Sequence, residues 1–139
     1  MLIVGERINT SRKAVAPAVE KRDVAFIQDM ARKQSEVGAN MLDVNCGTLV
    51  DQEPEALVWL VKTVQEATAL PLCIDSPNPV AIEGALKVHK GKALVNSITA
   101  EKERFSKIVP LIKEYGCSVV ALCMDDSGMP ETAQGRIEI

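Results

Sequence analysis

The apolar residues of this chain fall in short, nearly unbroken runs, each followed by a charged stretch with helical spacing. The runs are Leu2 to Val4, Met41 to Val44, Pro71 to Ile74, Ala93 to Val95 and Ser118 to Cys123. A strand with one wet face alternates apolar and polar residues, whereas a strand covered on both faces does not. Continuous runs therefore predict a parallel sheet buried under helices. Between the runs the period changes from that of a strand to that of a helix. Asp23 is a predicted N-cap, followed by Val24, Ile27, Met30, Ala31, Gln34 and Val37 on one stripe, with Gly38 in the position that stops a helix. Glu53-Pro54-Glu55 opens a second helix with Leu57, Leu60, Val61, Val64 and Ala67 inward, and Pro79 to Val88 forms a third with Val80, Ile82, Ala85 and Leu86 inward. Ala100 to Tyr115 carries Phe105, Ile108, Val109 and Ile112 and ends at Gly116, with a kink or break expected at Pro110. Thr10 to Lys21 reads as a loop with one short helical turn, Asp125 to Gly135 as turns, and Arg136 to Ile139 as the start of another helix.

Five strands, each separated by a helix, make this an α/β fold, either an open doubly wound sheet or a closed barrel. No G-x-G-x-x-G follows the first run, which argues against a dinucleotide site. The 139 residues suffice for one domain with a core. A net charge of −3 and only four aromatic residues give neither the basic surface nor the stacking platform that nucleic acid requires. No segment reaches the roughly 20 apolar residues of a membrane helix, and the apolar start is too short for a signal peptide. Cys46, Cys73, Cys117 and Cys123 form no C-x-x-C pair and the chain has one histidine, so a zinc or iron–sulfur site is disfavoured. Reduced, mostly buried thiols in a cytoplasmic protein are expected.

Polar residues stand at the C-terminal end of every predicted strand. They are Glu6-Arg7-Ile8-Asn9, Asp43 with Asn45, Asp75 with Ser76, Asn96 with Ser97, and Asp125 with Asp126. Glu6, Asp43, Asp75, Asn96 and Asp125 follow one another at intervals of 37, 32, 21 and 29 residues, around the ~30 per βα unit of an eight-fold barrel whose active site lies at the strand C-termini. Any one of them is equally well an N-cap or a turn former. Asp43, inside Leu42-Asp43-Val44, is harder to explain that way, because a buried carboxylate needs specific hydrogen bonds. Acids and amides without a basic cluster suit a ligand rich in N–H donors and acceptors, such as a pterin ring. The competing reading is a divalent cation on Glu6, Asp43 and Asp75, weakened by the asparagines beside them.

Gly5-Glu6-Arg7-Ile8-Asn9, Leu42-Asp43-Val44-Asn45, Cys73-Ile74-Asp75-Ser76 and Leu94-Val95-Asn96-Ser97-Ile98 stand in the order found in folate-dependent corrinoid methyltransferases, and the chain resembles that family along its length. The family includes methyltetrahydrofolate:corrinoid/iron–sulfur protein methyltransferase, the folate domain of methionine synthase and the methyltransferase component of O-demethylases. The resemblance implies a pterin-binding (β/α)8 TIM barrel, of which residues 1–139 supply about the first five β/α units. It implies methyl transfer between N5 of methyltetrahydrofolate and the cobalt of a cobalamin (corrinoid) carried by a partner protein, and a homodimer. By the same resemblance Asp75 and Asn96 are the catalytic and pterin-ring residues. Asp43 and Asn45 line the pocket, Glu6 and Asn9 come from the first strand, and Ser76 and Ser97 complete the set; no resident metal is implied.

Such a barrel needs about 250 residues and eight strands, so a piece of a longer product is expected in preference to a half completed by a partner. Dihydropteroate synthase is the nearest rival. It normally carries an Asn-x-Thr-x-Asp-Ser-Phe-type loop and a Gly-Gly-x-Ser-type loop, where this chain has Glu6-Arg7-Ile8-Asn9 and Asn45-Cys46-Gly47. A non-catalytic pterin-binding or corrinoid-docking module is the alternative from another class. A flavodoxin-like domain would explain the βα units but not the strand-end residues. His89 is expected at the surface, Trp59 in packing, and Asp125 and Asp126 in a turn with Ser127 and Gly128.

Overall fold

A computed structural model describes all of residues 1–139. Its five strands are β1 (Val4–Asn9), β2 (Met41–Asn45), β3 (Leu72–Asp75), β4 (Leu94–Ile98) and β5 (Ser118–Ala121). The helices are α1 (Val15–Glu20), α2 (Val24–Glu36), α3 (Glu53–Gln65), α4 (Pro79–Val88), α5 (Lys102–Tyr115) and α6 (Ala133–Glu138). All neighbouring strands are parallel, and the sheet order is β1-β2-β3-β4-β5. An open doubly wound sheet reverses its strand order at a switch point. Here the order never reverses, so right-handed crossovers carry each helix over the same face. The helices from α1 to α5 pack in sequence as one layer. This is the winding of a (β/α) barrel, in five successive units.

One core joins the sheet to that layer. Ile8, Leu42, Val44, Leu72, Ile74 and Val95 point into it from the strands. Leu57, Leu60, Val61 and Val64 of α3 and Ala81, Ile82, Ala85 and Leu86 of α4 meet them, all nearly or wholly inaccessible. Each such valine, leucine or isoleucine side chain contributes about 1.5–3 kcal/mol by leaving water. The helix ends follow the local chemistry. Asp23 accepts a hydrogen bond from the Phe26 N–H at 3.1 Å, and Asn78 accepts from the Val80 N–H at 3.0 Å ahead of Pro79. Gly38, with φ +98°, closes α2 by letting the Ala39 N–H turn back to the Gln34 carbonyl.

The first strand differs from expectation. It begins at Val4 and runs through Glu6 and Arg7 to Asn9, while Leu2 and Ile3 are exposed. Its register with β2 slips between Gly5 and Ile8, and the buried Gln34 side chain of α2 fills the bulge by accepting the Arg7 N–H at 3.0 Å. A charged pair thus sits inside a strand, because a helix supplies the acceptor that the ladder lacks. β5 ends at Ala121 instead of Cys123. α5 passes through Pro110 without a break; the proline is on the exposed side, where water can serve the carbonyl it leaves unpaired. Only Ile108 of α5 is fully buried, and Phe105 is 47% exposed. Val24 and Val37, at the ends of the α2 stripe, are likewise exposed.

Candidate functional site

The strand register collects the polar strand-end residues into a row. Asn9 lies opposite Asn45, Asn45 opposite Asp75, Asp75 opposite Asn96 and Asn96 opposite Val120. Side chains paired across a parallel sheet share a face. In the next row Val44, Ile74 and Val95 enter the helix-side core, so Asn9, Asn45, Asp75 and Asn96 project from the opposite face. With strands about 4.8 Å apart, the four span roughly 15 Å. One step down, Asp43 lies opposite Cys73 and Cys73 opposite Leu94 on that same face. The spacing of two in Asp43-x-Asn45 and Cys73-x-Asp75 places each pair on one face of its strand.

The row is chemically differentiated. The side-chain oxygen of Asn9 accepts the Ser11 N–H at 2.9 Å, and that of Asn45 accepts the Gly47 N–H at 2.9 Å. Both asparagines thereby hold the loops that follow them and keep their amide N–H groups free to donate. The Thr10 N–H to the Asn45 carbonyl at 3.0 Å ties these two loops together. Asp75 is half-buried at the centre, its carboxylate directed to the open face.

Asp43 is 2% exposed. Burial first, and then the neighbouring Asp75 and Glu6 charges, raise its pKa to about 6, against polar contacts with the Cys73 thiol and the Asn96 side chain that favour its ionised form. Burial also drives the Cys73 thiol upward, with the Asp43 carboxylate as the next cause, so Cys73 faces Asp43 as a protonated S–H group. Asn96, half-buried on β4 opposite Asp75, stands close enough to Asp43 to favour its ionised form. Glu6, exposed in the β1 bulge, takes part through its charge on Asp43. Glu6, Asp43 and Asp75 do not converge in a geometry that would hold a metal ion.

Ser76 and Ser97 stand outside this row. The Ser76 hydroxyl donates to the buried Glu53 of α3 at 2.6 Å and accepts the Asn78 N–H at 3.0 Å, which makes it part of the β3–α4 turn. Ser97 is 8% exposed, and its carbonyl receives the Arg104 guanidinium. Asp125 turns back on Ser127, accepting from its N–H at 2.9 Å and its hydroxyl at 2.6 Å, and Asp126 accepts the Lys102 N–H. The His89 ring is half-buried and accepts the Leu72 N–H at Nε2, 3.2 Å away. Trp59 packs on the core with the Arg22 guanidinium 5.0 Å above its ring. Sequence reasoning missed Cys73, Gln34 and Arg104. Of these only Cys73 had a local signal, its spacing of two from Asp75.

Three comparisons place this arrangement among known proteins. A model of the family described as pterin binding enzyme matches residues 5–138. Methylcorrinoid:tetrahydrofolate methyltransferase from Eubacterium limosum is 38% identical over 141 residues, covering all of this chain and 52% of that protein. Methionine synthase from Mycobacterium tuberculosis is 31% identical over 146 residues, covering all of this chain and 12% of its own length. This chain therefore spans about half of the first relative and a small part of the second. A solved structure of Xanthomonas albilineans dihydropteroate synthase, in complex with indole-2-carboxylic acid and 6-chloroguanine, superposes with a TM-score of 0.62 at 21% identity. That superposition covers 95% of this chain and 47% of that one, a likeness of fold. The fold, the row of amides and carboxylates and the match over nearly every residue agree: the chain belongs to the pterin binding enzyme family.

Proposed function

We propose that this chain carries the pterin-binding part of a methyltransferase that moves a methyl group between N5 of methyltetrahydrofolate and the cobalt of a corrinoid held by a partner protein. The observation that carries the reading is the row Asn9, Asn45, Asp75 and Asn96 on one face of the sheet. Its order of groups suits the edge of a fused heterocycle: donors from Asn9 and Asn45, a carboxylate acceptor at Asp75, and at Asn96 an amide that can donate or accept. The two relatives' names supply the transferred group and the corrinoid.

In this reading Asp75 accepts from the ring N–H and exocyclic amino groups and fixes the pterin in the plane above the sheet. Asn96 turns to the reacting edge, with Asp43 behind it. When the methyl leaves N5, the electron pair of the N–C bond stays on nitrogen, and this amine is a poor leaving group unless its growing charge is met by a hydrogen bond. The half-buried Asn96 amide, one strand from Asp75, has two N–H groups, and turning one of them to N5 meets that charge as it develops. The chemistry needs no serine, cysteine or histidine nucleophile, since the methyl acceptor or donor is the cobalt of the substrate protein. Residues 1–139 as the N-terminal part of one barrel domain, a cytoplasmic setting and a homodimer belong to the same proposal. No helix is long and apolar enough to cross a membrane.

The test is calorimetric titration of the chain with methyltetrahydrofolate. Saturable one-site binding that Asp75→Ala reduces about 10- to 100-fold, the worth of a charged hydrogen bond, supports the reading. Binding that is indifferent to Asp75→Ala and Asn96→Ala refutes it.

A further inference from the structure

We infer that Arg104 is a positioning residue of this site, a clamp that holds the ends of β3 and β4 together so that Asp75 and Asn96 stay on one row. The inference rests on the pterin reading above. Arg104 stands in the first turn of α5, half-buried, and has no carboxylate partner among the chain's ion pairs. Its guanidinium instead donates to backbone carbonyls of two segments, the end of β4 and the loop after β3. Nε and Nη2 reach the Ser97 carbonyl at 3.2 and 2.7 Å. Nη2 also reaches the Ser76 carbonyl at 3.4 Å, and Nη1 the Pro77 carbonyl at 3.4 Å. The 2.7 Å bond is the anchor, and the longer ones spread the cation over the neighbouring loop.

Placement gives the clamp its consequence. Ser76 follows Asp75 directly and Ser97 follows Asn96 directly. Holding those two carbonyls fixes the Ser76–Pro77 and Ser97–Ile98 peptides, one peptide beyond the two pterin-facing residues, and so limits how far the backbone carrying their side chains can turn. The Ser76 N–H to the Asn96 carbonyl, 3.2 Å, is the backbone link that the clamp braces. A planar guanidinium spreads five donors in fixed directions over three nitrogens and so reaches carbonyls on both segments, whereas a lysine gathers its three donors on one nitrogen. A positional error of about 1 Å at a reacting group is costly in rate, so a brace one residue removed from both groups acts on the site without touching ligand.

The experiment compares the wild-type chain with Arg104→Ala and Arg104→Lys, by amide hydrogen exchange and by titration with methyltetrahydrofolate. The clamp predicts that Arg104→Ala speeds exchange of the Ser76 amide about tenfold or more while the amides of α2 and α3 keep their protection. It also predicts an affinity about tenfold weaker, the lower end of what a charged hydrogen bond is worth. Arg104→Lys should fall between, and millimolar guanidinium ion should restore affinity to Arg104→Ala alone. Unchanged Ser76 protection in Arg104→Ala overturns the clamp. Lost protection with wild-type affinity overturns its role in positioning. A wild-type chain that takes up no pterin overturns the functional reading, a result separate from the exchange data, which by themselves decide whether the clamp exists.

Discussion

Asp43 is the residue whose burial and chemistry are most at odds, and it provides a pH signature. Its carboxyl is buried beside two other acids, and its pKa rises from 3.8 to about 6 in the folded chain. A group with a raised folded pKa lends stability that is fully present below the unfolded value and is lost as pH climbs through the folded one. The wild-type chain should therefore lose on the order of 2–3 kcal/mol between pH 4 and pH 7 relative to Asp43→Asn, whose neutral amide does not titrate. Urea unfolding of both proteins at a series of pH values measures the difference, and parallel pH profiles would contradict the account. Asp43, Asn45, Asp75 and Asn96 could be singled out in the sequence because acids and amides recur at the ends of successive strands and Asp43 interrupts an apolar run. Ser76 shows where that legibility stops. It neighbours Asp75 in the same motif, yet one step along a strand turns a side chain to the other face, and there Glu53 holds it.

Two elements depend on polar groups that hydrophobic patterning does not register. β1 keeps its bulge because the Gln34 side chain occupies the space above Gly5. A Cβ on Gly5 would stand 2.7 Å from the Gln34 Oε1 and 3.2 Å from the Leu42 Cδ2. Gly5→Ala should therefore displace the acceptor of the Arg7 N–H and cost about 1–3 kcal/mol, as overpacking does; a loss below ~0.5 kcal/mol on chemical denaturation would mean that Gln34 moves freely. At the other end of the fold His89 accepts the Leu72 N–H at the start of β3, and its Nδ1 lies 3.3 Å from the Gly91 carbonyl, so the neutral ring with the proton on Nδ1 fits both. Burial lowers the His89 pKa, with the Gly91 contact opposing. For a histidine held below its ordinary pKa, stability is complete above the unfolded value near 6.5 and declines as pH falls toward the folded value. His89→Gln should flatten that acid-side decline, which thermal melts across pH 7 to 5 would read. The helices were legible because caps and periodicity agree locally. The first strand was not, since what completes it is a glutamine 27 residues away from Arg7.

At the scale of the molecule, strand composition established a parallel α/β fold and left barrel and open sheet unresolved. Only the unreversed order of five strands separates them, and order is a property of pairing between segments, which no single segment encodes. The two outer strands leave apolar side chains uncovered nearby: Leu2 and Ile3 beside β1, Phe105 and Leu122 beside β5. Free strand edges with apolar neighbours invite pairing with another chain. The 139-residue chain alone should thus self-associate as its concentration rises, and sedimentation that stays monomeric at high concentration would show those edges to be protected. The central claim, a pterin row serving methyl transfer, is tested most directly with the complete natural gene product, methyltetrahydrofolate and chemically reduced cob(I)alamin. The account predicts loss of the Co(I) absorbance band and growth of the methylcobalamin spectrum, with turnover that collapses in Asp75→Ala and Asn96→Ala. Bound methyltetrahydrofolate with no spectral change, together with condensation of a pterin pyrophosphate and p-aminobenzoate by the same protein, would contradict it.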